Sequence, residues 1–445
     1  MVCTLRVVKI FFIIVTSFLL GTLLCKAEDY DYVDINNPFF KKIPIAIPHF
    51  KYLSNKRIAK KFSIEGSNLL RETLEFTGYF RMIDRRAFLI DKNNLEIVSP
   101  NINFKNWTTV GAELLLTGGV RVENKLLQVE LRLYDTYRGQ LLLGKKYIGD
   151  PIKDKRKIIR RFCSDVVYIL TGDRGIFNSK IAFISTTKSA HKEIFVCDFD
   201  GYNPTQITRY KSITLSPAWS HDSQWLAFTS FVNGKPDLLI RNFNKNQGFI
   251  FDRDGTNISP EWVPGKFKLA ASLSFSGDPE IYLLTKRGKI IKRLTNNMGI
   301  DVSPTWSPDG KKMAFVSKRS GSPQIYIKNI KTGKVERLTF NGFQNTQPSW
   351  CPKGEQIAYS GLSNGLHNIY LIDIENKEPI QLTYNTGDNE SPSWSPDGSL
   401  IVFSSNREGS SKIYVMTSVG TDQRRLLSLP GIQSQPAWSS NIISN

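Results

Sequence analysis

Histidine and cysteine are scarce in this chain, and the scarcity excludes several kinds of chemistry. Only His49, His191, His221 and His367 occur in 445 residues. They stand far apart, with no H-x3-H or C-x-x-C spacing, so no sequence-local zinc site is expected. Of five cysteines, Cys3 and Cys25 fall in the first 25 residues. The other three, Cys163, Cys197 and Cys351, are too few and too odd a number for a disulfide framework and read as buried thiols. No glycine loop of the phosphate-cradling kind is present. Long apolar runs are missing too, apart from residues 10–24. From Lys180 onward no 3.6-residue apolar period survives, which excludes a helical second half.

The charge is one-sided, 59 Lys and Arg against 40 Asp and Glu. The basic residues are scattered through turns and strand ends rather than drawn into a stripe, so a nucleic-acid partner is not expected. The exception, Lys153–Arg161, reads as the solvated face of a helix. At the start, Arg6 and Lys9 precede the apolar run, which ends Cys25-Lys26-Ala27 before acidic Glu28-Asp29. This is the pattern of a secretory leader (1–27) cleaved after Ala27. A retained anchor is the alternative, but the run is short of the ~20 residues of a membrane span. The mature chain is expected to have no membrane span.

What is present in abundance is a repeat. Trp219, Trp262, Trp306, Trp350, Trp394 and Trp438 recur at intervals of 43 or 44 residues, each with a proline two places before it. Trp306 and Trp394 are followed by Ser-Pro-Asp-Gly, a tight-turn signal. Then come a short apolar strand, a strand with an Ile-Tyr pair such as Ile325-Tyr326, and a segment ending Leu-Thr, as at Leu338-Thr339. Four short strands per repeat of this length is a propeller blade. Proline cannot donate to a β-ladder, so the Pro-x-Trp strand belongs on the edge that faces the central channel. Each indole then packs between neighbouring blades, removing ~150–250 Å² from water.

The first unit, from Lys180, lacks a Pro-x-Trp strand, and the last unit is only Pro436-Ala437-Trp438-Ser439. The C-terminal strand therefore completes the first blade, giving six blades over 173–445. The Trp262-Val263-Pro264-Gly265 unit lacks the aspartate, and the strand before it lacks the Leu-Thr ending; its blade is expected to form with altered loops. Residues 43–172 follow another rule. Ile43–Ile47 and Phe80–Ile83 read as strands, residues 58–74 as a helix interrupted by Gly66, Leu114–Val122, Leu126–Asp135 and Gln140–Ile148 as antiparallel strands, and residues 158–169 as a closing helix. The fold class is thus α+β: a small mixed α/β domain followed by an all-β six-bladed propeller. Residues 28–42 form a separate segment, an edge strand or a detachable peptide able to add to another protein's sheet.

One catalytic motif matches. Gly361-Leu362-Ser363-Asn364-Gly365 has the G-x-S-x-G form, with His367 nearby. It falls between blade strands rather than in the strand–turn–helix context that the motif requires. Asp301 and Glu390 are the only acidic pair for a channel metal. No cofactor is expected. By the repeat geometry, residues just before each Pro-x-Trp lie near the channel mouth: Ser216, Ser259, Asp301, Ser303, Asn345, Gln347, Asn389, Glu390, Ser391 and Gln435.

The Trp-Ser-Pro-Asp-Gly turns and Ile-Tyr strands, behind a leader and a small α/β domain, resemble the TolB family of the Tol-Pal system. So do Tyr32-Val33-Asp34-Ile35, Ile43-Pro44-Ile45-Ala46-Ile47-Pro48 and Asp198-Phe199-Asp200-Gly201-Tyr202-Asn203. The resemblance implies a periplasmic adaptor of Gram-negative bacteria, monomeric and not an enzyme, that supports outer-membrane integrity and envelope constriction at division. It implies that the Pal lipoprotein docks at the channel mouth, with Thr256, Ser259 and Val302 at positions that matter there. It further implies that the periplasmic domain of TolA recognises the N-terminal segment, here Tyr30, Tyr32, Val33, Asp34 and Ile35, and that this segment can fold back against the protein. A propeller-scaffolded periplasmic hydrolase or lactonase is the alternative.

Overall fold

The computed structural model describes residues 41–89, 96–186, 191–242 and 244–441. The expected leader with Ala27, and Tyr30, Tyr32, Val33, Asp34 and Ile35, lie outside the described residues. No helix among the described residues is long and apolar enough to cross a membrane.

The first part is a sheet with helices. Strands β1 (Ile43–Ala46), β2 (Lys51–Tyr52), β3 (Phe80–Met82), β4 (Leu114–Glu123), β5 (Leu126–Asp135) and β6 (Gln140–Gly149) form it in the order β3-β1-β4-β5-β6, with β2 beside β4. Strand β1 runs parallel to β3 and β4, and β4–β6 are antiparallel. Helices α1 (Arg57–Phe76), α2 (Phe104–Thr109) and α3 (Lys155–Thr171) flank it, and α1 packs on both α3 and β4. Gly66 does not interrupt α1, as the sequence suggests. The helix runs through it, and a Cβ there would stand 2.6 Å from the Phe62 ring and 3.2 Å from Phe50. Gly118 on β4 meets the same Phe50 ring, at 2.5 Å from a would-be Cβ. The two glycines make a slot for one aromatic between helix and sheet, which outweighs the poor helix propensity of glycine.

The second part is the six-bladed propeller. Blade 1 combines Lys180–Thr186, Lys192–Asp198 and Thr205–Gln206 with the C-terminal strand Gln433–Trp438, in the order that puts the C-terminal strand on the inner edge. Ring closure is held by the ladder from Gln433–Ser185 to Trp438–Ile181 and by Lys180 N–H donating to Ser439 Oγ at 2.9 Å. Blades 2 to 6 begin with inner strands Thr214–Trp219, Asn257–Trp262, Asp301–Trp306, Gln344–Trp350 and Asn389–Trp394. Each is a four-stranded antiparallel sheet, blades 2 and 3 included. The tryptophans pack as expected: Trp262 sits among Ala218, Ala227, Leu238 and Ile240 of blade 2, and Trp350 among Ala314 and Ile325 of blade 4. Cys163, Cys197 and Cys351 are buried and unpaired.

The Leu-Thr ending has a physical reason. The threonine hydroxyl accepts the first free N–H of the Ile-Tyr strand: Ile281 to Thr295 at 2.8 Å, Ile325 to Thr339 at 2.9 Å and Ile369 to Thr383 at 2.9 Å. The Ser-Pro-Asp-Gly turn is equally local. Ser307 Oγ donates to Asp309 Oδ1 at 2.7 Å and accepts from Lys312 N–H, while Gly310 takes φ 66°. The α/β part packs against these turn ends on blades 6 and 1. Arg424 donates to Phe76 O at 2.6 Å, Phe76 meets Phe199 edge-on at 5.5 Å, and Arg160 pairs with Asp198 at 2.6 Å. The opposite end of the ring, where the inner strands begin, carries none of these contacts.

Candidate functional site

The inner strands share one backbone device. In all six the residue before the proline has positive φ: Ser216 51°, Ser259 51°, Ser303 53°, Gln347 52°, Ser391 56° and Gln435 49°. At the same place each ladder shifts register, as between Val302 and Thr305. A β-bulge re-aims one residue of each strand, and holding a non-glycine residue at positive φ costs about 1–3 kcal/mol. These six residues and the prolines that follow line a central cavity of about 150 Å³ together with Glu261. The ring is cross-braced. Ser216 N–H donates to Gln435 Oε1 at 2.8 Å, and Ser391 N–H to Gln347 Oε1 at 2.9 Å. Glu261 is half-buried on the wall, and loss of solvation there pushes its carboxyl up to about 8.

Of the residues that the sequence assigns to the mouth, Ser259, Ser303, Gln347 and Ser391 line the channel, as do Ser216 and Gln435. Thr256, Val302 and Glu390 are half-buried and stand off the channel wall. Asp301, Asn345 and Asn389 are corrected: they are buried and held by side chains of their own or the preceding blade rather than open at the mouth. Asp301 accepts from Arg319 at 2.8 Å, Asn345 donates to Gln324 Oε1 at 2.8 Å, and Asn389 accepts from Arg407 at 2.9 Å. The bulge changes side-chain parity within the strand, so the residues at its start are turned into the protein rather than onto the channel wall. Burial raises the Asp301 carboxyl against the pull of Ser317 and Arg319.

Sequence reasoning missed the apolar residues of the mouth. The loops that lead into the inner strands expose Met298 (93%), Phe340, Phe343 (69%) and Tyr384. The available signal was large apolar residues inside the turns Asn296-Asn297-Met298-Gly299 and Phe340-Asn341-Gly342-Phe343. The hydrolase candidates are not assembled. Ser363 Oγ bonds Tyr370 OH at 2.8 Å, while His367 Nδ1 lies 3.4 Å from Asp388 and 3.9 Å from Glu390. Asp301 and Glu390 have separate partners. No cluster of three His, Cys, Asp or Glu residues suited to a metal occurs among the described residues.

A second region lies at the far end. The basic run of α3, read from sequence as a solvated helix face, instead borders a cleft of about 1450 Å³ between the α/β part and blade 1. Lys145, Lys146, Lys153, Lys157 and Arg161 line it beside Arg156, which stacks 3.8 Å over Tyr202. The helix period alone does not show that blade 1 stands opposite.

Two family models match the chain: "TolB amino-terminal domain" over residues 31–142 and "TolB beta propeller domain" over 167–442. The Tol-Pal system protein TolB of Desulfosudis oleivorans is 56% identical over 270 residues, which are 61% of this chain and 61% of that protein. A TolB homolog of Chlorobium chlorochromatii is 42% identical over 274 residues, 62% of this chain and 61% of its own. These matches thus span less than two thirds of either relative. The crystal structure of TolB from Acinetobacter baumannii superposes with a TM-score of 0.77 at 25% identity, covering 90% of this chain and 97% of that one.

Proposed function

The chain belongs to the TolB family, and from that premise we propose that it is a periplasmic, non-catalytic adaptor of the Tol-Pal system. It binds the Pal lipoprotein at the channel mouth and the periplasmic domain of TolA through residues 28–42, and so supports outer-membrane integrity and envelope constriction at division. The observation that carries this reading is the mouth itself. A braced ring of bulged strands is surrounded by exposed Met298, Phe340, Phe343 and Tyr384, on the end of the propeller that the α/β part leaves uncovered. Aromatic residues and methionine are the side chains enriched at protein interfaces. The rival reading, a propeller-borne hydrolase or lactonase, has less support, because Ser363 is engaged by Tyr370 rather than by a base.

The test is calorimetric titration of the chain from residue 28 with a soluble Pal domain and, separately, with the TolA periplasmic domain. Both titrations are repeated with residues 28–42 deleted. Saturable binding of both partners, with TolA binding alone lost on deletion, is the expected result. If neither partner binds the intact chain, the adaptor reading fails.

A further inference from the structure

The residue between proline and tryptophan is an internal control for the channel. In the six inner strands it is Ala218, Glu261, Thr305, Ser349, Ser393 and Ala437. Five are small and neutral. Elsewhere this position ties one blade to the next: Thr305 Oγ1 accepts from Trp350 N–H at 3.3 Å, and Ser393 Oγ accepts from Trp438 N–H at 2.9 Å. At three positions the indole of the following blade also bonds back to its carbonyl, whereas Trp350 donates to Gly354 O and Trp438 to Ser179 Oγ. Trp219 donates to Ala437 O, Trp262 to Ala218 O and Trp394 to Ser349 O, at 3.0–3.1 Å. At Glu261 neither tie forms. Among the described residues its carboxyl has no hydrogen bond or ion pair, and the buried indole N–H of Trp306, the matching donor, is left without a partner.

A half-buried carboxyl without a partner lacks the counter-charge that would hold it ionised. The channel wall supplies none. Its other lining groups are serine hydroxyls, two carboxamides and prolines, with no Lys, Arg or His. The strands packed against Glu261 add little. Asp301, on the next inner strand, is held by Arg319; Thr214–Trp219 has no ionisable group; Lys268, on the adjoining strand of blade 3, is exposed; and on Asp237–Asn242 of blade 2, Asp237 and Arg241 alternate with Leu239 on the face toward blade 1, away from Glu261. One carboxylate falls short of the several that a divalent cation gathers. A cavity of about 150 Å³ opening at the mouth instead suits one extended side chain.

We propose that Glu261 is the receptor for a single organic cation, an ammonium or guanidinium group, carried into the channel by the protein that docks at the mouth. The proposal rests on the docking reading above. The pairing is a proton exchange: the carboxyl O–H breaks, its proton passes to buffer, and the carboxylate pairs with the incoming cation. Ser303 and Ser259 line the same cavity. Because burial keeps the carboxyl protonated at neutral pH, binding releases close to one proton there. Affinity rises by about tenfold per pH unit toward pH 8 and then levels.

The test has two arms, each with the chain from residue 28 and its Glu261→Gln variant, at pH 6, 7 and 8. One arm titrates the soluble Pal domain in buffers of different ionisation enthalpy; the other titrates methylguanidinium alone. The expected result is proton release with the Pal domain, and at least tenfold weaker binding at pH 8 with no pH slope in the variant. Thermal melts of both chains confirm that the glutamine isostere folds. Glu261-dependent binding of methylguanidinium without a Pal effect keeps the site but makes its cation a free one. If the Pal domain does not bind the wild-type chain, the docking reading falls and the methylguanidinium arm decides alone. Equal behaviour of the two chains in both arms, or a site that takes calcium and no organic cation, overturns the proposal.

Discussion

Phe343→Ala separates binding from folding at the mouth. The Phe343 side chain is 69% exposed and immediately precedes the inner strand of blade 5. A phenylalanine presents ~150–250 Å², so a partner covering the exposed share removes roughly 100–170 Å² from water. At ~25 cal/mol/Å² that is worth about 3–4 kcal/mol as an upper bound. Ordering of loops and side chains on association offsets part of it, leaving about 2 kcal/mol. That corresponds to roughly thirtyfold in Kd. The same truncation removes little from the folded chain, because the ring is already in water, and stability should change by less than about 0.5 kcal/mol. Calorimetric titration with the soluble Pal domain reads the first quantity and urea denaturation the second. An affinity within threefold of wild type, with stability unchanged, refutes the reasoning. So does a stability loss as large as the affinity loss, since it would mean that Phe343 packs in the free protein.

Trp438→Ala, at the ring closure, should lower stability by about 3–5 kcal/mol in urea denaturation, because the indole is 8% exposed and bonds Ser179 Oγ at 2.8 Å. Thr339→Val should cost about 1–3 kcal/mol by the same assay, since it leaves the Ile325 N–H without an acceptor and removes the bond to Gln324. Asp397 is buried and its carboxyl is raised by that burial, against hydrogen bonds from Ser399 and Ser395. The fold thus prefers the neutral acid, so wild-type stability falls as pH rises from the ordinary carboxylate range through the raised value. Asp397→Asn should abolish that slope, and denaturation at pH 4 and pH 8 checks it; parallel slopes in both chains would count against it.

The scaffold was legible because it is repeated. Six Pro-x-Trp units at near-constant spacing give the blade count, the inner edge and the closure from the two incomplete ends. In the α/β part, the alternation in Leu126–Asp135 was enough to mark β5. Gly66 was misread because a glycine in a helix looks like a break, whereas its role is set by Phe50, 16 residues earlier. Asp301, Asn345 and Asn389 were misplaced for a subtler reason. Simple alternation puts Asp301 and Ser303 on one face, but the bulge inserts a residue between the strand start and the tryptophan, and a one-residue shift exchanges faces. Nothing in the single sequence announces that a serine or glutamine before proline sits at positive φ.

What distinguishes this propeller lies where equivalent positions stop being equivalent. At or near the starts of the third strands, Glu193, Asp237, Glu280, Gln324, Asn368 and Lys412 are all buried and polar, yet they run from acidic in blades 1–3 through neutral in blades 4 and 5 to basic in blade 6. Glu193, Gln324 and Asn368 share one clasp, accepting from the threonines Thr208, Thr339 and Thr383, whereas Asp237 accepts from Asn233, Glu280 pairs with Arg293 and Lys412 donates to the Leu429 carbonyl. Unlike those clasps, Glu261 has no answer among the described residues. A structural polar residue is recognised by its partner; a polar residue in a symmetric channel that lacks one points to a partner outside the chain.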